Sequence, residues 1–228
     1  MKAMILAAGR GERLRPLSDR VPKALAPAAG RPLVAWLLER LAAAGFRNVV
    51  INISHLGAQI EAALGNGAAF GLAIAYSREA EPLESAGGIA QARTLLGNAP
   101  FALVNADVYS DFDLRSLRAR ALGSCLAHLV LAPNPAHHPG GDFSLEGGRA
   151  GNAPSPRYTY TGMALIDPAL VAPVRAGDKA PLAPLLRAAA DAGRLSGELH
   201  RGLWRDIGNA ERLAELDALL RARMKAGT

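Results

Sequence analysis

An apolar run over residues 2–8 breaks directly into Gly9-Arg10-Gly11-Glu12-Arg13-Leu14-Arg15-Pro16-Leu17. Two glycines straight after a strand-like segment let successive backbone N–H groups turn toward one centre, a cradle for phosphate oxygens. Arg13 adds a fork of charged donors suited to the same oxygens. Two common phosphate motifs are excluded: the dinucleotide fingerprint needs a third glycine where Leu14 stands, and a Walker A loop needs Gly-Lys-Ser/Thr. Val21-Pro22-Lys23-Ala24-Leu25 follows in the same loop, and Lys23 is a rare lysine in an arginine-dominated chain. A lysine is a compact point charge that can reach a phosphate at a reacting centre. Phe101-Ala102-Leu103-Val104-Asn105-Ala106-Asp107 is an apolar strand ending in a carboxylate, and Trp204-Arg205-Asp206-Ile207-Gly208 repeats that pattern. Mg²⁺ takes one or two carboxylates plus substrate phosphates. Read alone, each aspartate is equally a helix cap or a turn former.

The elements that must position these groups alternate between strand and helix. Residues 2–8, 49–53, 72–76 and 101–106 read as buried strands, and 32–44, 58–64 and 88–96 as helices. Between the first strand and helix lies a polar loop, 9–30, long enough to be functional rather than a mere connection. The second half reads as helix 114–121, strand 125–132, a hairpin-like excursion over 133–157, strand 158–166, helix 182–192, strands 195–200 and 203–207, and helix 211–223 capped by Asn209. This alternation predicts one α/β domain spanning residues 1–228 with a mostly parallel sheet covered on both faces. The second half would add to that sheet and wall one side of a cleft.

Composition narrows the function classes. One cysteine, Cys125, excludes an internal disulfide framework and reads as inert core. The pair His137-His138 has no acid or cysteine patterned around it and does not read as a metal site. A net charge of +6 raises nucleic acid as a partner, but the arginines are dispersed and no basic run is interleaved with aromatics. The cluster Arg10, Arg13, Arg15, Arg20 and Lys23 suits a small polyanion instead. No segment reads as a membrane span or an export signal. The expectation is a cytoplasmic protein, a monomer or weak homodimer, that engages neither nucleic acid nor membrane.

Taken together, Leu6-Ala7-Ala8-Gly9-x-Gly11-x-Arg13-Leu14-x-Pro16-Leu17, Pro22-Lys23-Ala24-Leu25 and Asn105-Ala106-Asp107 resemble the sugar-1-phosphate nucleotidyltransferases. The segment from Glu79 through Pro82, Ser85 and Gly88 to Ile89 extends the likeness, as does Trp204-Arg205-Asp206-Ile207-Gly208. The resemblance implies a Rossmann-like nucleotidyltransferase fold, with a mixed, mostly parallel central sheet and helices on both faces. It implies a Mg²⁺-dependent reaction of a nucleoside triphosphate with a sugar 1-phosphate, giving the nucleotide-sugar and pyrophosphate. Gly9, Gly11, Glu12 and Arg13 would wrap the phosphates, and Lys23 would act with Arg13 on the reacting centre. Ala7, Glu79 and Gly88 would read the base edge. Asn105 and Asp142 would bind the sugar, with Trp204 shaping its end of the cleft, and Asp107 and Asp206 would hold Mg²⁺.

Residues 127–131, 134–139, 141–145, 160–164, 182–186 and 196–198 resemble the branch that uses UTP and an N-acetylated cell-wall sugar. Guanylyl transfer to mannose 1-phosphate and thymidylyl or uridylyl transfer to glucose 1-phosphate are sister readings. A non-catalytic nucleotide-sugar sensor is a reading of another class; such relatives commonly lose the arginine, lysine or aspartate that this chain keeps. The sequence also departs from the pattern. The Glu-Lys-Pro that many relatives carry is replaced by Gly148-Arg149-Ala150-Gly151-Asn152-Ala153-Pro154, which leaves Arg149 and Arg157 as candidate partners of the sugar phosphate. Ala106 stands where relatives carry glycine, and Ser85 where they usually carry threonine.

Overall fold

The computed structural model describes residues 1–226. Its first half contains β1 (Ala3–Leu6), the small hairpin β2 (Pro27–Ala28) and β3 (Arg31–Pro32), α1 (Leu33–Ala43), β4 (Asn48–Ile53), α2 (Gly57–Leu64), β5 (Ala73–Arg78), α3 (Glu84–Gln91), α4 (Arg93–Leu96) and β6 (Phe101–Asn105). The second half adds β7 (Val108–Ser110), α5 (Leu114–Ala119), β8 (Ala127–Ala132), β9 (Phe143–Glu146), β10 (Arg149–Gly151) and β11 (Arg157–Ile166). It closes with α6 (Ala183–Asp191), β12 (Leu195–Leu199), β13 (Trp204–Asp206) and α7 (Ala210–Ala226). Nine strands form one sheet in the order β5-β4-β1-β6-β11-β8-β12-β10-β9. No helix among the described residues is long and apolar enough to cross a membrane.

The sheet is mixed, and its parallel part is concentrated in the first half, where β5, β4, β1 and β6 run together. The long strand β11 enters antiparallel to both β6 and β8, and β12 returns parallel to β8. Alternate residues of the central strands serve opposite faces. Ile5, Ile51 and Val104 pack with Val34, Leu38 and Leu41 of α1, while Met4, Val50 and Leu103 pack with Ile89 of α3 and Leu186 of α6.

The loop after β1 is more ordered than its composition predicts. It winds through three single 3₁₀ turns, Glu12–Leu14, Leu17–Asp19 and Lys23–Leu25. A third apolar cluster explains why it holds its shape: Leu14, Ala26 and Ala28 are buried against Leu213, Leu216 and Leu220 of α7. Each fully buried leucine contributes roughly 1.5–3 kcal/mol, so the last helix fastens the loop of the first half. Asn209 caps that helix as expected, accepting the Arg212 N–H at 2.9 Å.

Several elements differ from their sequence-based expectations, among them the β2–β3 hairpin in the expected loop and the split of helix 88–96 into α3 and α4. Helix α3 begins at Glu84 rather than 88, because the N–H groups of Ala86 and Gly87 are satisfied by the distant Ala180 carbonyl at 2.9 and 3.0 Å. Strand β7, three residues long, is absent from the periodicity and exists through its antiparallel pairing with β13. Cys125 precedes β8 and is half-buried, not a core strand residue.

A polar network crosses β8 and β12. The buried His128 meets Ser196 Oγ through Nδ1 at 2.9 Å and Glu198 Oε1 through Nε2 at 3.0 Å, and Arg120 donates to the same oxygen at 3.0 Å. The His128 hydrogen bond, helped by the Arg120 charge and opposed by partial burial, holds the Glu198 carboxyl below the usual carboxylate range. A depressed folded-state pKa stabilises the protein above the unfolded value of about 4.3 and loses that contribution as pH falls through the folded value. Glu198→Gln is therefore expected to lower stability most near neutral pH, with the gap to wild type closing in acid. Urea unfolding across a pH series would show a constant gap if the ionised carboxylate contributes nothing.

Candidate active site

A cleft of about 830 Å³ opens at the carboxyl ends of β1, β4 and β6, where open α/β sheets bind ligands. Ala7, Gly9, Arg10, Gly11, Glu12, Arg13, Lys23, Asn52, Asn105 and Asp107 all line it. Gly11 takes φ +65°, and a Cβ there would stand 3.1 Å from the Lys23 Cβ and 3.3 Å from the Ser18 Cβ. Glycine is therefore required both by the backbone conformation and by the close approach of the lysine stem. Among the described residues no backbone carbonyl accepts from the N–H groups of residues 9–13; the first such bond is Leu14 N–H to Gly11 O at 2.8 Å. Free donors and the Arg13 side chain share one wall, an arrangement that fits a polyphosphate.

Lys23 and Asp107 form an ion pair, with the Lys23 side chain 15% and Asp107 29% exposed. Asp107 is fixed by chain geometry: its carbonyl accepts the Ile207 N–H at 2.9 Å, and β13 pairs with β7 so that Asp206 stands opposite Val108. The short ribbon thus brings the backbone of the two expected metal-binding aspartates alongside each other from positions 99 residues apart in the sequence. Asp206 is set back from the lining, whose nearest member is Gly208, and its carboxylate engages Arg212 and, at 3.2 Å, His137 Nε2. His137, from the loop after β8, therefore stands beside an expected metal-binding aspartate.

Sequence reasoning missed Asn52. Its Oδ1 accepts the Ala7 N–H at 2.8 Å, its Nδ2 donates to Glu79 Oε1 at 2.7 Å, and Glu79 Oε2 accepts the Leu83 N–H at 2.9 Å. Asn52 and Glu79 are both buried. The signal was a lone amide in the apolar strand Val49-Val50-Ile51-Asn52-Ile53. Gly88 completes the group, because a Cβ there would lie 2.6 Å from Asn52 Nδ2 and 2.8 Å from Glu79 Oε1. Glu79 and Gly88 do not line the cleft; they stand behind Ala7 and Asn52, which do.

Asn105 faces a bulge in β11. Gly162 there has φ +78°, and a Cβ would come 2.7 Å from Asn105 Nδ2. Trp204 is buried and donates its Nε1–H to the Thr161 carbonyl at 2.9 Å, bracing that bulge from behind rather than lining the cleft.

The structure does not bring Asp142, Arg149 or Arg157 to the lining. Asp142 accepts the Tyr160 N–H at 2.8 Å through Oδ2 and meets His138 Nε2 at 3.1 Å through Oδ1. Arg157 donates to the Asp142 carbonyl, and Arg149 to the Gly193 carbonyl at 2.7 Å. These local acceptors hold both arginines away from the cleft. Asp142→Ala is expected to cost about 0.5–2 kcal/mol of stability, the size of a lost cap-like bond, and to leave the KM for both substrates near wild type. A selective rise in the sugar-phosphate KM would instead assign Asp142 to the acceptor.

The nucleotidyl transferase family model matches residues 2–133. Over 233 aligned residues the chain is 49% identical to N-acetylmuramate alpha-1-phosphate uridylyltransferase of Neisseria meningitidis serogroup B, covering 96% of this chain and 98% of that one. The chain belongs to the nucleotidyl transferase family. It is also 31% identical to the N-acetylmuramate alpha-1-phosphate uridylyltransferase of Caulobacter vibrioides, with 96% of each chain covered. A glucose-1-phosphate thymidylyltransferase of Streptomyces griseus is 30% identical over 96% of this chain and 66% of its own. A crystal structure assigned as a glucose-1-phosphate thymidylyltransferase from Bacillus anthracis superposes with a TM-score of 0.86 over 97% of this chain and 95% of that one. At 20% identity it establishes the nucleotidyl transferase fold alone. This nucleotidyl transferase presents a glycine loop with unpaired backbone donors and a lysine–carboxylate pair on one cleft, with a second carboxylate set behind the lining.

Proposed function

We propose that this enzyme transfers the uridylyl group of UTP to N-acetylmuramate α-1-phosphate, forming UDP-N-acetylmuramate and pyrophosphate in the cytoplasmic recycling of cell-wall sugar. The observation that carries the reading is near full-length 49% identity to an enzyme of that name, together with a cleft in which Lys23 and Asp107 meet beside the glycine loop. A phosphate oxygen of the acceptor attacks the α-phosphorus, a new P–O bond forms, and the bond to the β-phosphate breaks. Catalysis of this kind is positioning and charge stabilisation. The N–H groups of residues 9–13 and Arg13 hold the departing pyrophosphate. Lys23 offsets charge that grows at the α-phosphate, and Asn105 orients the acceptor.

Asp107 and Asp206 fit a divalent ion of the Mg²⁺ type, because they are hard oxygen donors on neighbouring backbone of the β7–β13 ribbon. Among the described residues no group of three or more His, Cys, Asp or Glu could hold a metal, so the remaining ligands would come from phosphates and water. When bound, such an ion neutralises phosphate charge. The enzyme works as a monomer or weak homodimer on these two small substrates. The test is pyrophosphate release across donor–acceptor pairs. UTP with N-acetylmuramate α-1-phosphate is expected to exceed GTP with mannose 1-phosphate, or dTTP with glucose 1-phosphate, by more than about tenfold in kcat/KM. Preference for either of those pairs would move the enzyme to a sister activity.

A further inference from the structure

The second half of the chain also reaches the far end of the cleft, through one short strap. Residues 178–182 cross the first turn of α3. Beyond the two bonds to the Ala180 carbonyl, the Ala180 N–H donates to Leu83 O at 3.0 Å and the Leu182 N–H to Ser85 Oγ at 2.9 Å. Gly87 permits the crossing, since a Cβ there would overlap the Asp178 carbonyl oxygen. The strap occupies the helix donors and fixes Lys179 at the cleft wall beside Glu81, Pro82 and Glu84. Glu84 is held at φ +61°, a strained left-handed conformation for a non-glycine residue, with its Oε1 4.0 Å from the Lys179 ammonium. Lys179 is 67% exposed, so this pair is weak and the ammonium can exchange Glu84 for a ligand oxygen.

The sheet order says which part of the ligand lies there. The segment 79–83 follows β5, which is three strand spacings from β6, or about 14 Å at roughly 4.8 Å each. Lys23 and Asp107 mark the reacting phosphorus at the β6 side, and the loop after β1 takes the outer phosphates. The ribose and base are left to the β5 side. A lysine ammonium is a donor without acceptor capacity, and neutral uracil, whose N3 carries a hydrogen, offers it two carbonyl oxygens.

We propose that Lys179 is a specificity-determining residue that donates to the C4 carbonyl oxygen of the donor base, favouring uracil over cytosine, which carries an amino group there. This rests on the uridylyl-transfer reading. The test is calorimetric binding of UTP and CTP to wild type, Lys179→Ala and Lys179→Met, alongside steady-state kinetics; the methionine variant keeps the apolar stem in case alanine perturbs folding. Both variants are expected to bind UTP about tenfold more weakly while CTP binding shifts less than about twofold, as for a lost base-reading hydrogen bond. The KM for the sugar 1-phosphate should stay in place. An equal loss for both nucleotides, no loss, or a rise confined to the sugar-phosphate KM would overturn the assignment. Failure of wild type to bind UTP would overturn the uridylyl-transfer reading itself.

Discussion

Lys23→Ala is expected to lower turnover about 10²–10³-fold, the usual cost of removing one donor aimed at developing charge, while the unfolding midpoint stays near that of wild type. The lysine rises from the single 3₁₀ turn Lys23–Leu25, its stem lies against Gly11, and its ammonium pairs with Asp107 at the cleft. It belongs to none of the three apolar clusters, whereas its neighbour Ala24 is buried in one of them. Removing the side chain beyond Cβ therefore takes away charge and leaves the packing. Single-turnover pyrophosphate release at saturating substrates separates this from a binding defect. Turnover close to wild type would reduce the Lys23–Asp107 contact to a structural ion pair.

Asp107→Asn and Asp206→Asn are each expected to raise the Mg²⁺ concentration needed for half-maximal rate. Metal-borne charge stabilisation is worth several kcal/mol, so each should lower turnover by about 10²–10³-fold. The double variant should be little slower than the slower single one, because ligands of one ion act as a unit. Asp206 also holds Arg212 and His137, so its variant should lose some thermal stability as well. Losses that add in the logarithm of the rate would assign the two aspartates to different tasks.

The elements that sequence reading located are those whose own residues dictate them. β1, β4 and β6 are continuous apolar runs, and α1 carries leucines at helical spacing, so each is recoverable from a short window. The glycine loop was legible for the same reason: its conformational demand is written into Gly11. What escaped depends on distant partners. β7 is a strand only because β13 lies beside it, and α3 starts early only because Ala180 supplies an acceptor from far along the chain. The spacing of Arg149 and Arg157 said nothing of the carbonyls of Gly193 and Asp142 that claim them. Asn52 gains its role from Ala7 and Glu79, which come from other parts of the chain. Lys179 carried no local motif at all, and its place at the cleft follows from the strap across α3.

The most direct test of uridylyl transfer is the mass of the product formed when the enzyme is mixed with UTP, N-acetylmuramate α-1-phosphate and Mg²⁺, with pyrophosphate counted in the same reaction. The expected result is a single new species with the mass of UDP-N-acetylmuramate, formed in step with one pyrophosphate per molecule. Absence of that species, while another nucleotide and sugar 1-phosphate are joined under the same conditions, would contradict it.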